Sequence, residues 1–133
     1  MSGLIARRRT LAQHRMVRPF NWTYDKLIKM DGELYGKTGG MVSDYIEITP
    51  NIPYTIISYS EGVVICCDYK DDFSFNDFWS YSSSEEMEFH FYKRTINSPG
   101  AKYVRIHTDS HEHKDMLKVW QNGVLLFDGS WYD

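Results

Sequence analysis

A chain of 133 residues with 15 Lys and Arg against 18 Asp and Glu suffices for one domain with its own core, and leaves little for a second. Aromatic residues make up 16 %, with ten Tyr and four Trp, which suits a β-rich module better than an α/β enzyme. No apolar run reaches the ~18 residues of a membrane-spanning helix, which argues against membrane insertion, and the basic N-terminus lacks the apolar stretch of a secretory signal.

The net charge of −3 hides a division. Residues 1–24 hold Arg7, Arg8, Arg9, Arg15 and Arg18 and no acid, whereas the rest carries ten basic and eighteen acidic side chains, net −8. Leu4, Ile5, Leu11, Ala12 and Met16 fall near one face at helical spacing, Ser2 can cap, and Pro19 ends the segment. This predicts a basic helical arm over residues 1–19, ahead of a β-sandwich body over 20–133. A helix this short is marginal alone. The arm is therefore expected to anchor the chain in a larger assembly through Leu4, Ile5, Arg7, Arg8, Arg9, Leu11 and Arg15. The bland alternative lays it as a solvated helix on its own acidic body. Its composition also matches a mitochondrial transit peptide apart from a scarcity of serine. Nucleic-acid binding is not expected, since no basic body backs the arginines.

In the body, residues 20–24 read as a first strand and residues 26–29 are ambiguous. Gly36-Lys37-Thr38-Gly39-Gly40 is a loop, and no phosphate cradle, because the upstream glycine is missing and strand signals follow. Residues 41–58 give two strands broken at Pro50-Asn51-Ile52-Pro53, and residues 63–69 give a third. An aromatic stretch from Phe73 to Tyr81 leads to a polar serine loop. Met87, Phe89 and Phe91 alternate with Glu88, His90 and Tyr92 as a one-sided strand. Pro99-Gly100 launches a strand over 101–108, with Tyr103 and Arg105 facing one way and Val104 and Ile106 the other. Asn122-Gly123 is a hairpin turn. About eight short strands at this spacing predict an all-β jelly-roll sandwich, with Tyr45, Ile46, Ile48, Ile56, Val64, Tyr103, Val104 and Ile106 in its core. Adjacent Cys66 and Cys67 point to opposite faces of a strand, which suits two free thiols.

The order of three segments carries a resemblance: Asp44-Tyr45-Ile46-Glu47-Ile48-Thr49-Pro50 running on to Tyr54-Thr55-Ile56, then Val63–Phe73, then Asn97-Ser98-Pro99-Gly100-Ala101-Lys102-Tyr103-Val104-Arg105-Ile106. Over residues 42–108 this resembles the jelly-roll, carbohydrate-binding-module-like domain of tail, baseplate and fibre proteins of tailed bacteriophages. Asp68-Tyr69 stands where that family more often has Tyr-Asp. The resemblance implies a virion protein, displaying its body for host attachment or for docking of another fibre. Its partners would be other virion proteins, sister copies (a trimer by analogy) and a host-surface glycan. The rival expectation is a ligand-free packing subunit such as a capsid decoration protein or fibre base.

Sugars present apolar C–H faces that stack on aromatic rings, and Trp22, Trp79, Tyr81, Trp120 and Trp131 could build such a platform. Trp79 and Tyr81 are the leading pair, sharing a face if extended, with Trp22 the third candidate. Most aromatics in a small sandwich are core. The resemblance also implies a calcium ion near Asp68, Asp71 and Asp72. Read from the residues alone these form a polar turn, so no cofactor or metal is assigned. His107, His111 and His113 with Asp109 and Glu112 match no fixed metal-ligand spacing. No nucleophile elbow is present, and no enzyme is expected.

Overall fold

The structure, a computed structural model, describes residues 19–133. Residues 1–18 of the arm, with all seven anchor residues, lie outside the described residues. Among the described residues, eleven strands form two antiparallel sheets. The first contains, in spatial order, β1 (Thr23–Ile28), β2 (Leu34–Val42), β9 (Tyr103–Thr108), β5 (Val64–Tyr69) and β6 (Phe75–Ser80). The short β3 (Ile46–Glu47) also pairs with β9. The second contains β11 (Val124–Asp128), β10 (Lys118–Gln121), β4 (Tyr54–Tyr59), β8 (Phe91–Ile96) and β7 (Glu85–Glu86).

The sheets bury one shared core. Met41, Ile46, Cys66, Val104 and Ile106 from the first meet Tyr54, Ile56, Ile96, Val119 and Phe127 from the second. Chain and packing thus agree on a two-sheet sandwich, in which inward residues of both layers interdigitate. Of the eight expected core residues seven are buried, and Tyr45 is half-buried.

The first sheet is covered on its other face too. β1 and β2 pair Tyr24 with Met41, then jump to Lys26 with Gly36. The four residues left over on β2 form a wide bulge, so the stretch read as a glycine loop is a bent part of a strand. Asp25 takes φ 59 and its Oδ1 accepts from the Gly39 N–H at 3.0 Å, while Gly39 takes φ 87. Gly40 is squeezed as well: a Cβ there would stand 2.5 Å from the Lys26 carbonyl oxygen. Bent this way, the hairpin tip folds across β5 like a flap. The Cys67 thiol donates to the Lys29 carbonyl at 3.3 Å, and the Tyr69 hydroxyl to the Gly32 carbonyl at 2.9 Å. Ile28, Val42, Val64, Cys67, Tyr69 and Tyr103 form a second apolar cluster beneath it.

Consequently every residue of β5 and β9 is buried, and the alternation expected at Arg105 does not produce an exposed face. Arg105 lies over the Tyr45 ring at 4.7 Å, with Nε donating to the Ser43 carbonyl at 2.9 Å. Two further expectations are corrected. Residues 87–90 turn rather than run as a strand, with Phe89 and His90 at φ 60 and 65, and β8 starts only at Phe91. The histidine-rich stretch is a 3-10 helix, His111–Met116. Asn122-Gly123 does close a hairpin, at φ 53 and 76.

Candidate functional site: the open face of the second sheet

The second sheet keeps one open face. β4, β8 and β10 alternate buried and accessible side chains. Residues directly opposite each other on paired strands share a face. Trp120 stands opposite Thr55, and Thr55 opposite Thr95. One step along, Lys118 stands opposite Ile57, and Ile57 opposite Lys93. Ile56 and Val119 between them point into the core.

This face combines a half-buried indole, two hydroxyls and two ammonium groups. The Thr55 and Thr95 hydroxyls hydrogen-bond each other at 2.8 Å, which leaves donor and acceptor capacity outward. The Lys93 ammonium sits 5.6 Å from the centroid of the Trp120 ring. Lys118 is tied back to Asp128 at 3.0 Å and to the Asp115 carbonyl at 2.8 Å, which fixes the margin of the face. A flat ring flanked by short hydroxyls and a cation can stack on the apolar side of a sugar while bonding its hydroxyl rim.

The three aromatic candidates from the sequence are separated. Trp22 is a correction: it is buried in the core, edge-on to Phe20 at 5.0 Å and Phe127 at 5.9 Å, so no sugar reaches its ring. Trp79 is half-buried and already engaged. Its Nε1–H donates to Asp68 at 2.9 Å, and the Arg94 guanidinium lies 5.2 Å over its ring. Tyr81 is exposed and leans on Tyr92 at 5.4 Å, near the sandwich edge where Arg94 donates to the Ser80 and Ser82 carbonyls. Tyr81 alone of the three is open for contact.

Asp68 is fully buried between the sheets. Its Oδ2 accepts from the Tyr54 hydroxyl at 2.6 Å and from Trp79, and its Oδ1 from the Asn76 amide at 2.9 Å. A buried carboxylate needs such donors, and here they supply them. Burial, together with the Asp68 charge, raises the Tyr54 hydroxyl well above its usual pKa, so it stays a donor. The calcium expectation does not fit these residues. Asp68 faces inward with its oxygens engaged, and Asp72 is turned to Ser74, accepting from its N–H at 3.0 Å and its hydroxyl at 2.5 Å.

The histidines are likewise dispersed. His107 is buried inside β9, where Nδ1 accepts from the Ile28 N–H at 3.0 Å and Nε2 lies 3.1 Å from the Val64 carbonyl. Only the neutral ring with its proton on Nε2 satisfies both, and burial lowers the pKa to about 4. His113 pairs with Asp109 at 2.8 Å and stacks on Phe89 at 4.5 Å. No group of three or more metal-ligating side chains gathers among the described residues. The thiols are suppressed as nucleophiles: burial drives Cys66 well above its usual range, and burial with the Asp68 charge pushes Cys67 up to about 12.

Sequence reasoning placed Trp120 among five tryptophan and tyrosine candidates but ranked it below Trp79. The deciding fact is which face of the second sheet is open, and that depends on pairing β4 with β8 and β10, strands far apart in the chain. No known protein family matches the chain, and neither the curated proteins nor the solved structures contain a match.

Proposed function

We propose that this chain is a structural protein of a tailed-phage particle. Its body is a carbohydrate-binding-module-like domain of jelly-roll type, and its basic arm anchors that body to the assembly. The observation that carries this reading is the pairing of the three resemblance segments. They supply β3, β5 and β9, with β9 flanked directly by the other two, and β4 behind them in the opposite sheet. The shared order along the chain thus corresponds to one contiguous slab of the fold. Within this reading the open face centred on Trp120 receives a surface glycan, with Thr55, Thr95 and Lys93 bonding its hydroxyls. Tyr81 lies outside it, at the sandwich edge.

A glycan array on the purified chain tests the ligand. Selective hits should fall by at least about tenfold in Trp120→Ala, as for an aromatic anchor at the centre of a contact. Tyr81→Ala should leave them unchanged. Trp79→Ala is a poor probe, because it strips a donor from buried Asp68. An empty array would sink the glycan role. The packing-subunit alternative has an observation of its own. Two of the three aromatics expected to bind sugar are spent on the interior, Trp22 on the core and Trp79 on Asp68 and Arg94.

A further inference from the structure

The edge of the second sheet at β7 carries a surface unlike the rest. The described residues expose eleven large hydrophobic side chains, and three of them, Tyr81, Met87 and Phe89, fall within nine consecutive positions. Phe89 is the most exposed of all, at 55 %. Exposed Glu85, Glu86 and Glu88 interleave with them. β7 ends its sheet, so its outer edge pairs with no strand among the described residues.

Short acidic edge strands commonly serve to repel unwanted pairing. That account explains the glutamates and leaves three exposed apolar side chains unexplained, since a repellent edge gains nothing from them. The three glutamates also stand close together without an ion pair. Elsewhere Asp31, Glu47, Glu61, Asp115 and Asp128 each have a lysine within 4.0 Å, while carboxylates such as Asp77 and Glu112 have none among the described residues. Among the described residues Glu85, Glu86 and Glu88 have none. Lys93, opposite Glu85 in the ladder, turns its ammonium over Trp120 instead.

We infer that this edge receives residues 1–18 of a second copy of the chain. The inference rests on reading the arm as the assembly element and adds the surface that accepts it. The segment matches in both respects. Leu4, Ile5, Leu11 and Met16 are apolar, and Arg7, Arg8, Arg9, Arg15 and Arg18 are basic with no acid among them. Guanidinium groups bond carboxylates through two parallel N–H groups and tolerate partial burial, so Glu85, Glu86 and Glu88 are suited to receive them. Tyr81, Met87 and Phe89 would cover the apolar residues of that segment, which so short a segment cannot bury alone. Each copy gives one arm and accepts one, a head-to-tail contact that closes into a ring under rotational symmetry.

Charge exchange in the full-length chain tests this, with mass read by light scattering on a sizing column. The intact chain should be oligomeric. Glu85→Lys/Glu86→Lys/Glu88→Lys should weaken association at least about tenfold, as should Arg7→Glu/Arg8→Glu/Arg9→Glu. Combining the two triples should restore it. Met87→Ser/Phe89→Ser should weaken it with no charge change. All these positions are exposed or in the arm, and a thermal melt at the wild-type temperature confirms that the body stays folded. Association lost in the arm variant but kept in the glutamate variant would overturn the docking surface while preserving the arm's role. Association kept in both would overturn both. A monomer at every concentration, with or without the substitutions, would overturn exchange between copies.

Discussion

Acidification should unlatch the hairpin flap through His107. The ring accepts the Ile28 N–H at Nδ1 and lies against the Val64 carbonyl at Nε2, so it joins the flap to the strands beneath. A second proton would have to sit on Nδ1, where it would face the Ile28 N–H. The folded pKa is lowered from 6.5 to about 4, first because burial disfavours the charged ring. The unfolded chain therefore binds a proton across a window in which the native state does not. The His107 contribution is complete above pH 6.5 and disappears as pH falls toward 4. Integrated across that gap it amounts to about 3 kcal/mol, most of it between neutrality and pH 4.5. Urea denaturation of the wild type and of His107→Asn at pH 7.5 and 4.5 checks it. Asparagine keeps an acceptor near the Nδ1 position but does not titrate, and the carboxylate contributions are common to both proteins. The wild type should lose about 2–3 kcal/mol more than the variant on acidification. An equal loss in the two proteins would refute the argument.

Asp68→Asn should destabilise by about 3 kcal/mol, because an amide offers one acceptor oxygen where three donors converge, and a donor is left facing an NH2 group. Urea midpoints within the error of the wild type would show that the donors find other partners. Gly40→Ala should cost about 1–3 kcal/mol, since its new methyl meets the Lys26 carbonyl, while Gly36→Ala, with open space around it, should be nearly neutral. Thermal melts of the pair decide whether the bulge or the mere presence of glycine sets the bend. Val104→Asp should abolish folding, for it buries an unpaired charge at a fully enclosed position of β9; a cooperative melt of soluble variant would contradict this.

Local chemistry was legible where the chain decides alone. Asn122-Gly123 demands a hairpin, and Ile46, Ile56 and Val104 had nowhere to go but the core. The failures lie where a turn, a bulge or a partner elsewhere in the chain overrides the local pattern. Met87 and Phe89 alternate as a strand would, yet Glu88 accepts from the Phe91 N–H at 3.2 Å and the segment turns. Trp79 and Tyr81 promised a shared platform, but the Asp68 carboxylate, eleven residues away in the chain, takes the indole N–H. The glycine stretch 36–40 carried no strand signal, since its role is to let a strand bend, and only the jump in register from Met41 to Gly36 reveals it.

The flap covers part of the first sheet's outer face. A sandwich ordinarily offers two outer faces. Here the hairpin tip, Tyr69 and the stacked pair Phe73 and Tyr103, 4.5 Å apart, occupy much of one of them. The first sheet is thereby committed to stability, with β5 and β9 buried on both sides. The two proposed contact surfaces are the open face of the second sheet and its β7 edge. The two lie on opposite sides of Lys93, which stands over Trp120 on the face and opposite Glu85 at the edge. On the proposed readings, a glycan that takes Lys93 as a hydroxyl partner would hold that ammonium on the face and leave Glu85 to an arginine of the arm. Occupation of the face and docking at the edge would then favour each other through a single side chain, by at most about 1 kcal/mol, the modest strength of an exposed ion pair. Lys93→Met, which keeps the apolar stem but removes the charge, should uncouple them.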